Sequence, residues 1–238
     1  MASGMPRLQA FKTIKYLLQH GKPGGRQSAT EALADFQGAE ANALVQKAVN
    51  DKDPEVQARA LSQLRQRGTA GALPLLIERL DSPHEAVREA ARGSLTEFSF
   101  SRYLAGFETL DDEVRESTGR LVKKVDPKSG ELLQAELTSK VRSRRLRGLA
   151  MAAAMDMAAE LQETLIELLQ DEDHMVRQEA VHLLGTQNNA TARKAIEQAL
   201  EDSSLMVREV AAAALEELNA EGGAPAPPAN EDTGADHA

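Results

Sequence analysis

Apolar and polar residues follow one another along most of this chain with a period near 3.6, which predicts amphipathic α-helices. One stripe recurs. An aliphatic residue, usually followed by arginine, has a small residue four places on and an apolar or small one eight places on. It reads Val56-Gln57…Ala60…Leu64, Val87-Arg88…Ala91…Leu95 and Val114-Arg115…Thr118…Val122. It continues as Leu146-Arg147…Ala150…Ala154, Val176-Arg177…Ala180…Leu184 and Val207-Arg208…Ala211…Leu215. Successive spacings are 31, 27, 32, 30 and 31 residues. Three residues before each aliphatic position stand Asp53, His84, Asp111, Ser143, Asp173 and Ser204. Except for the histidine, these are good acceptors for the first N–H groups of a helix, and Pro54 suits the first helical position.

Each such helix is preceded by a second amphipathic segment, clearest at Leu73, Leu76, Ile77 and Leu80 and again at Leu161, Leu165 and Leu168. Two helices per unit make a hairpin that buries its faces only by stacking on neighbours. The prediction is an all-α fold, an α-solenoid of about six helical hairpins over residues 37–218. Residues 1–36 lack the Val-Arg signature and are predicted to add two helices as a degenerate N-terminal cap. Residues 219–238, rich in Ala, Pro and Gly and without large apolar side chains, are expected to be disordered.

The segments "DKDPEVQARALSQL", "DEDHMVRQEAVHLLG" and "DSSLMVREVAAAAL" resemble the second helix of HEAT repeats, in the subgroup shared with phycobilisome-lyase-like proteins. That resemblance implies a ladder in which an Asp before the second helix meets the Arg after its Val in a neighbouring repeat. It assigns structural roles to Asp53, Asp111, Asp173, Arg88, Arg115, Arg147, Arg177 and Arg208. Gln57, Ser143 and Ser204 depart from the pattern, and the ladder is expected to end or weaken there.

Composition narrows the function. The chain has no cysteine, which excludes disulfides, thiolate nucleophiles and Cys-ligated zinc. No apolar run approaches the roughly 20 residues of a membrane span, and cytoplasm is the default expectation. The net charge of −9 disfavours nucleic acid as the main partner. Glu179 and His182 form one E-x-x-H, half of a di-iron motif, and no second copy exists. In HEAT-repeat hydroxylases a His-Glu dyad follows the Val-Arg of several repeats. Here that slot reads Gln178-Glu179, and His84-Glu85 lies ahead of its helix. A glycosylase-like role would need a basic, aromatic-rich face, and nothing in the chain positively supports a phycobilin lyase. No cofactor and no catalytic residue is expected. The expected function is that of a scaffold holding a protein partner, with an enzyme or accessory lyase (a metal-dependent hydroxylase or chromophore lyase), or a weak nucleic-acid binder, as the alternatives.

Charge is unevenly distributed. Residues 115–147 carry ten basic and four acidic side chains, whereas residues 148–238 carry four basic and eighteen acidic ones. Lys123, Lys124, Lys140, Arg142, Arg144 and Arg145 crowd the first of these stretches, just after an aromatic-rich segment containing Phe98 and Phe100. A solvated charge run is the plainer reading. The functional reading is a contact with an acidic protein partner or with the chain's own acidic tail, anchored by Phe98 or Phe100. On that reading the arginines project from the turn and stay out of the core.

Overall fold

The computed structural model describes residues 4–222, which contain fourteen α-helices, two 3₁₀ turns and no strand. They fall into two compact units that divide between Ser129 and Gly130, at the first residue of the ninth helix. The first unit holds α1 (Gly4–His20), α2 (Pro23–Ala32), α3 (Ala39–Ala48), α4 (Pro54–Leu64), α5 (Ala72–Arg79), α6 (Glu85–Gly93), α7 (Phe100–Gly106) and α8 (Asp112–Val125). The second holds α9 (Ser129–Leu137), α10 (Arg142–Ala154), α11 (Gln162–Leu168), α12 (His174–Gly185), α13 (Ala190–Ala199) and α14 (Leu205–Gly222). Consecutive helices pair as hairpins, four in the first unit and three in the second. The second helices stack in succession, α2 on α4 on α6 and α10 on α12 on α14.

The predicted stripe is core in most of the hairpins, but in α8 Val114 is 39% exposed and only Val122 of its stripe is buried. Val56, Ala60 and Leu64, then Val87, Ala91 and Leu95, then Val176, Ala180 and Leu184 are all fully buried. Each small middle residue leaves room for the next second helix. Asp53 accepts hydrogen bonds from the Glu55 and Val56 N–H groups, and Asp173 does the same for Met175 and Val176. Asp111 accepts from Val114. These caps satisfy first-turn donors that would otherwise be orphaned. The turn before α6 is built differently, for Ser82 Oγ accepts from the His84 N–H and the imidazole makes no cap.

Three expectations are corrected. The N-terminal segment is a regular hairpin, because Gly25-Arg26…Ala29…Leu33 repeats the stripe with glycine in place of the aliphatic residue, and Ala29 and Leu33 are buried. Helix α10 starts at Arg142, so Ser143 lies inside the helix and caps nothing. Its stripe is shifted by two residues from the one predicted: Gly148, Leu149 and Ala152 are buried, while Ala150 is exposed. Gly148 is what the packing demands there, since a Cβ would lie 3.2 Å from the Leu137 backbone nitrogen and 3.3 Å from Glu136 Cβ. Residues 219–222, assigned to the tail, are helical in α14, and residues 223–238 lie outside the described residues.

Candidate binding surface

The ladder comes first, because it decides which arginines face a partner. Arg26 holds Asp51 with two parallel hydrogen bonds, Nε to Oδ2 and Nη2 to Oδ1, each 2.9 Å, while its Nη1 donates to the Gly21 carbonyl. Arg177 repeats the arrangement on Asp202 at 2.8 Å and 2.8 Å, with Nη1 on the Asp171 carbonyl. Arg145 sits 2.7 Å from Asp171 and donates to the Ser139 carbonyl. The carboxylates of these rungs are therefore Asp51, Asp171 and Asp202. Each lies two residues ahead of the helix-capping position, and its Oδ1 also accepts the N–H of the residue at that position. Asp53, Asp111 and Asp173, read as ladder residues, are caps, and Arg88 and Arg115, read likewise, pair with Glu85 and Asp112 of their own helices. Gln57 occupies an arginine slot in the first unit, where the next acid slot is Ser82. The rung is missing on both sides, and Gln57 instead donates to the Asp51 carbonyl.

This register corrects the reading of α10. Arg145 and not Arg147 is the ladder residue, and it is buried with both faces of its fork engaged. A charge-assisted hydrogen bond from Nη2 to Asp171 Oδ1, with Nε close to Oδ2, holds the side chain in the core instead of letting it project from the turn. Arg144 and Arg147 converge on the buried Glu136 at 2.6 Å and 2.9 Å. The hydrogen bond from Arg144 is the main reason that the Glu136 carboxyl stays below the usual range despite burial. Arg142 pairs with Asp173 and lies 3.0 Å from Met175 Sδ. Asp173 is held low chiefly by that pairing, helped by the Val176 and Met175 N–H groups.

The remaining predicted contacts separate. Lys140 is exposed just ahead of α10. Lys123 and Lys124 lie in the last turn of α8, where positive charge suits a helix C-terminus. Lys124 pairs with Asp81. Phe100 is buried at the start of α7, as are Tyr103 of the same helix and Phe107 just beyond it, so it is core and cannot serve as an exposed anchor. Tyr103 donates to the Arg115 carbonyl at 2.7 Å, and burial pushes its phenol up to about 12. Phe98 is partly buried against the core of the first unit. Glu179 and His182 are both exposed on α12. No cluster of three or more potential metal ligands occurs among the described residues, and no described helix is long and apolar enough to cross a membrane.

A different surface emerges on the turn edge of the second unit. The residues that open the second helices in the first unit are polar or small: Pro54-Glu55, Glu85-Ala86 and Asp112-Glu113. In the second unit the edge carries Val141, Met175, Leu205 and Met206, exposed by 52, 45, 58 and 51%. The Arg142 contact joins the first turn to Met175 of the second. A cleft of about 390 Å³, lined by Glu172, His174, Arg177, Ser203, Ser204 and Met206, joins the second turn to the third. The signal was present in the runs His174-Met175-Val176 and Leu205-Met206-Val207, where two apolar residues precede or adjoin the buried valine. A helical stripe accounts for only one of them.

Comparison with known proteins fits this architecture. The family model for HEAT repeats matches residues 12–96 and 128–216. No curated protein matches the chain. Solved structures that resemble it include an engineered protein at 21% identity, covering 89% of this chain and 97% of that one, with a TM-score of 0.37. The complex of CpcE and CpcF of phycocyanin lyase from Nostoc sp. PCC7120 is 20% identical over 86% of each chain, TM-score 0.34. The archaeal HEAT-like repeats protein from Thermococcus onnurineus NA1 is 15% identical over 89% of this chain and 97% of that one, TM-score 0.32. With stripe, caps and ladder in place and the family model matched over most of its length, the chain belongs to the HEAT-repeat family.

Proposed function

We propose that this HEAT-repeat chain is a non-catalytic scaffold that binds a protein partner along the apolar turn edge of its second unit. The observation that carries the reading is the row of exposed Val141, Met175, Leu205 and Met206 beside an open cleft. Solvent-exposed apolar side chains gathered on one edge favour a partner that covers them, at about 25 cal/mol per Å² of apolar surface removed from water. Methionine adapts its shape to the partner it meets.

Charge shapes the partner. Residues 148–222 contain fifteen acidic and four basic side chains. Arg177 is held by Asp202, Arg193 by Asn219, and Arg208 donates to backbone carbonyls. The partner that suits this edge is a polypeptide segment with apolar residues flanked by Lys or Arg. An acidic partner, expected from the basic sector, would have to displace Asp173, Glu136 and Asp171 from arginines that already hold them. Cross-linked pull-down from the native cell, followed by mass spectrometry, tests the reading. Proteins captured by the native chain and lost from a Met175→Glu/Met206→Glu variant would support it, and an unchanged set of captured proteins would reject it. Bound iron or a co-purified pigment in the isolated protein would favour the enzyme or lyase alternative instead.

A further inference from the structure

Two clefts in this chain are built to one plan and carry opposite charge. Each lies between consecutive first helices and includes a ladder rung. In the first unit a cleft of about 690 Å³ between α1 and α3 includes Arg26 and Asp51. In the second unit a cleft of about 670 Å³ between α11 and α13 includes Arg177 and Asp202. Arg26 to Arg177 and Asp51 to Asp202 are both 151 residues apart, so the other positions match one to one. Both floors are apolar, Leu18, Leu44 and Ala48 in the first and Leu169, Ala195 and Ala199 in the second. The rims differ. His20, Lys47 and Lys52 of the first cleft correspond to Asp171, Gln198 and Ser203 of the second, and Asn50 corresponds to Glu201.

The basic rim is not a demand of the fold. A cation suits the last turn of a helix, and His20 and Lys47 stand in such turns. Helix α13 makes the same turn with no basic residue in it. Lys47 and Lys52 are exposed and form no ion pair among the described residues. The one carboxylate that lines the cleft, Asp51, is already engaged by the two Arg26 hydrogen bonds and by the Asp53 N–H. Asn50 accepts a hydrogen bond of 2.9 Å from Arg79 Nη2, which brings a guanidinium of α5 to the same rim. In a chain of net charge −9, this cleft therefore offers free cations above the partly buried Leu18 and Leu44. We propose that the cleft between α1 and α3 is a second docking site, independent of the turn edge of the second unit, and that it takes an acidic polypeptide segment. An apolar side chain of that segment covers Leu18, Leu44 and Ala48, and Asp or Glu residues beside it meet Lys47 and Lys52. A basic segment is repelled here, and a nucleic-acid backbone would meet the lysines while leaving the leucines uncovered.

Amide NMR titration of the full chain with the peptide Glu-Leu-Glu-Glu-Leu-Glu, and separately with Lys-Leu-Lys-Lys-Leu-Lys, tests this. The acidic peptide is expected to shift the signals of Gln19 to Gly21 and Lys47 to Lys52 and to leave Gln170, Gln198 and Glu201 unmoved. The basic peptide is expected to leave the first set unmoved. Lys47→Gln/Lys52→Ser places the second cleft's residues at two exposed positions, so the circular dichroism spectrum should not change. Its affinity for the acidic peptide should be about tenfold weaker, as expected when two charge pairs are lost. Absence of shifts at millimolar acidic peptide would overturn the proposal. So would equal shifts from both peptides, shifts confined to the surroundings of Lys140 and Arg142, or a folded double variant that binds as tightly as the native chain.

Discussion

At the scale of single residues, the arginines that make the sequence look like a basic binding site are mostly internal fasteners. Arg177 grips a carboxylate whose side chain is 11% exposed, and removing the fork leaves Asp202 with fewer of its hydrogen bonds. Arg177→Ala is expected to cost about 1–3 kcal/mol, and the neighbouring Gln178→Ala under about 0.5 kcal/mol. Chemical denaturation of the two variants checks this, and equal costs would refute the ladder register. The same rungs set an acid limit. Asp202 is held below the ordinary carboxylate range, first by the Arg177 hydrogen bond, and Glu136 likewise by Arg144. A folded-state pKa below the unfolded one contributes stability that is fully present above the unfolded value, about 4 for a carboxylate. That contribution is lost as the pH falls through the folded value. Denaturation midpoints should therefore hold from neutral pH to about 5 and fall below about 4, less steeply in Asp202→Asn. A midpoint insensitive to acid would contradict the assignment. The ladder was only half legible in the sequence. Leu146-Arg147 imitates the Val-Arg pair, and the true slot, Arg144-Arg145, has lost the aliphatic residue that marks it elsewhere. Its acid partners stand two residues away from the caps that attract attention first.

At the scale of elements, the stripe, the Asp caps and the hairpin order were legible because period and capping chemistry are local. Close approach between helices is not local. Gly148 reads as an ordinary gap in a helix until α9 is seen against it, where a Cβ would meet Leu137 Cδ2 at 3.0 Å and the Leu137 nitrogen at 3.2 Å. Backbone atoms cannot give way as a flexible side chain can. Gly148→Ala is expected to destabilise by about 1–2 kcal/mol, overpacking outweighing the gain in helix propensity. Gly93→Ala, at the exposed end of α6 with nothing within 4 Å, should be neutral or stabilising by about 0.5 kcal/mol. Thermal denaturation of the pair reads the sign directly. Two costs of equal sign and size would mean that α10 does not rest on α9 as described. Gly25 illustrates the converse failure of the sequence reading. Glycine in place of the aliphatic residue hid a regular first hairpin whose Arg26–Asp51 rung matches those of the second unit.

At the scale of the whole molecule, the charge profile in the sequence pointed to the basic stretch, and the fold redirects attention to the turn edge of the second unit. Charge could be counted from the sequence, but pairing could not. Glu136, Asp171 and Asp173 neutralise Arg144, Arg145 and Arg142 only once the helices are stacked. Exposure of Met175 and Met206 is likewise a property of the assembled edge. The two surfaces make opposite predictions when each is altered and both stability and partner affinity are measured. Met175→Glu/Met206→Glu should leave stability within about 0.5 kcal/mol, because both side chains are exposed. The triple change of Arg142, Arg144 and Arg145 to Glu should cost about 3 kcal/mol or more, since it breaks a buried pair and sets like charges against Glu136 and Asp171.

The most direct measurement is the affinity of the captured partner for the native chain and for the Met175→Glu/Met206→Glu variant, read by titration calorimetry with folding verified by circular dichroism. Loss of about 2 kcal/mol or more of binding in a fully folded variant is the predicted result, the size expected when central contacts are removed. Undiminished affinity in that folded variant would contradict the account.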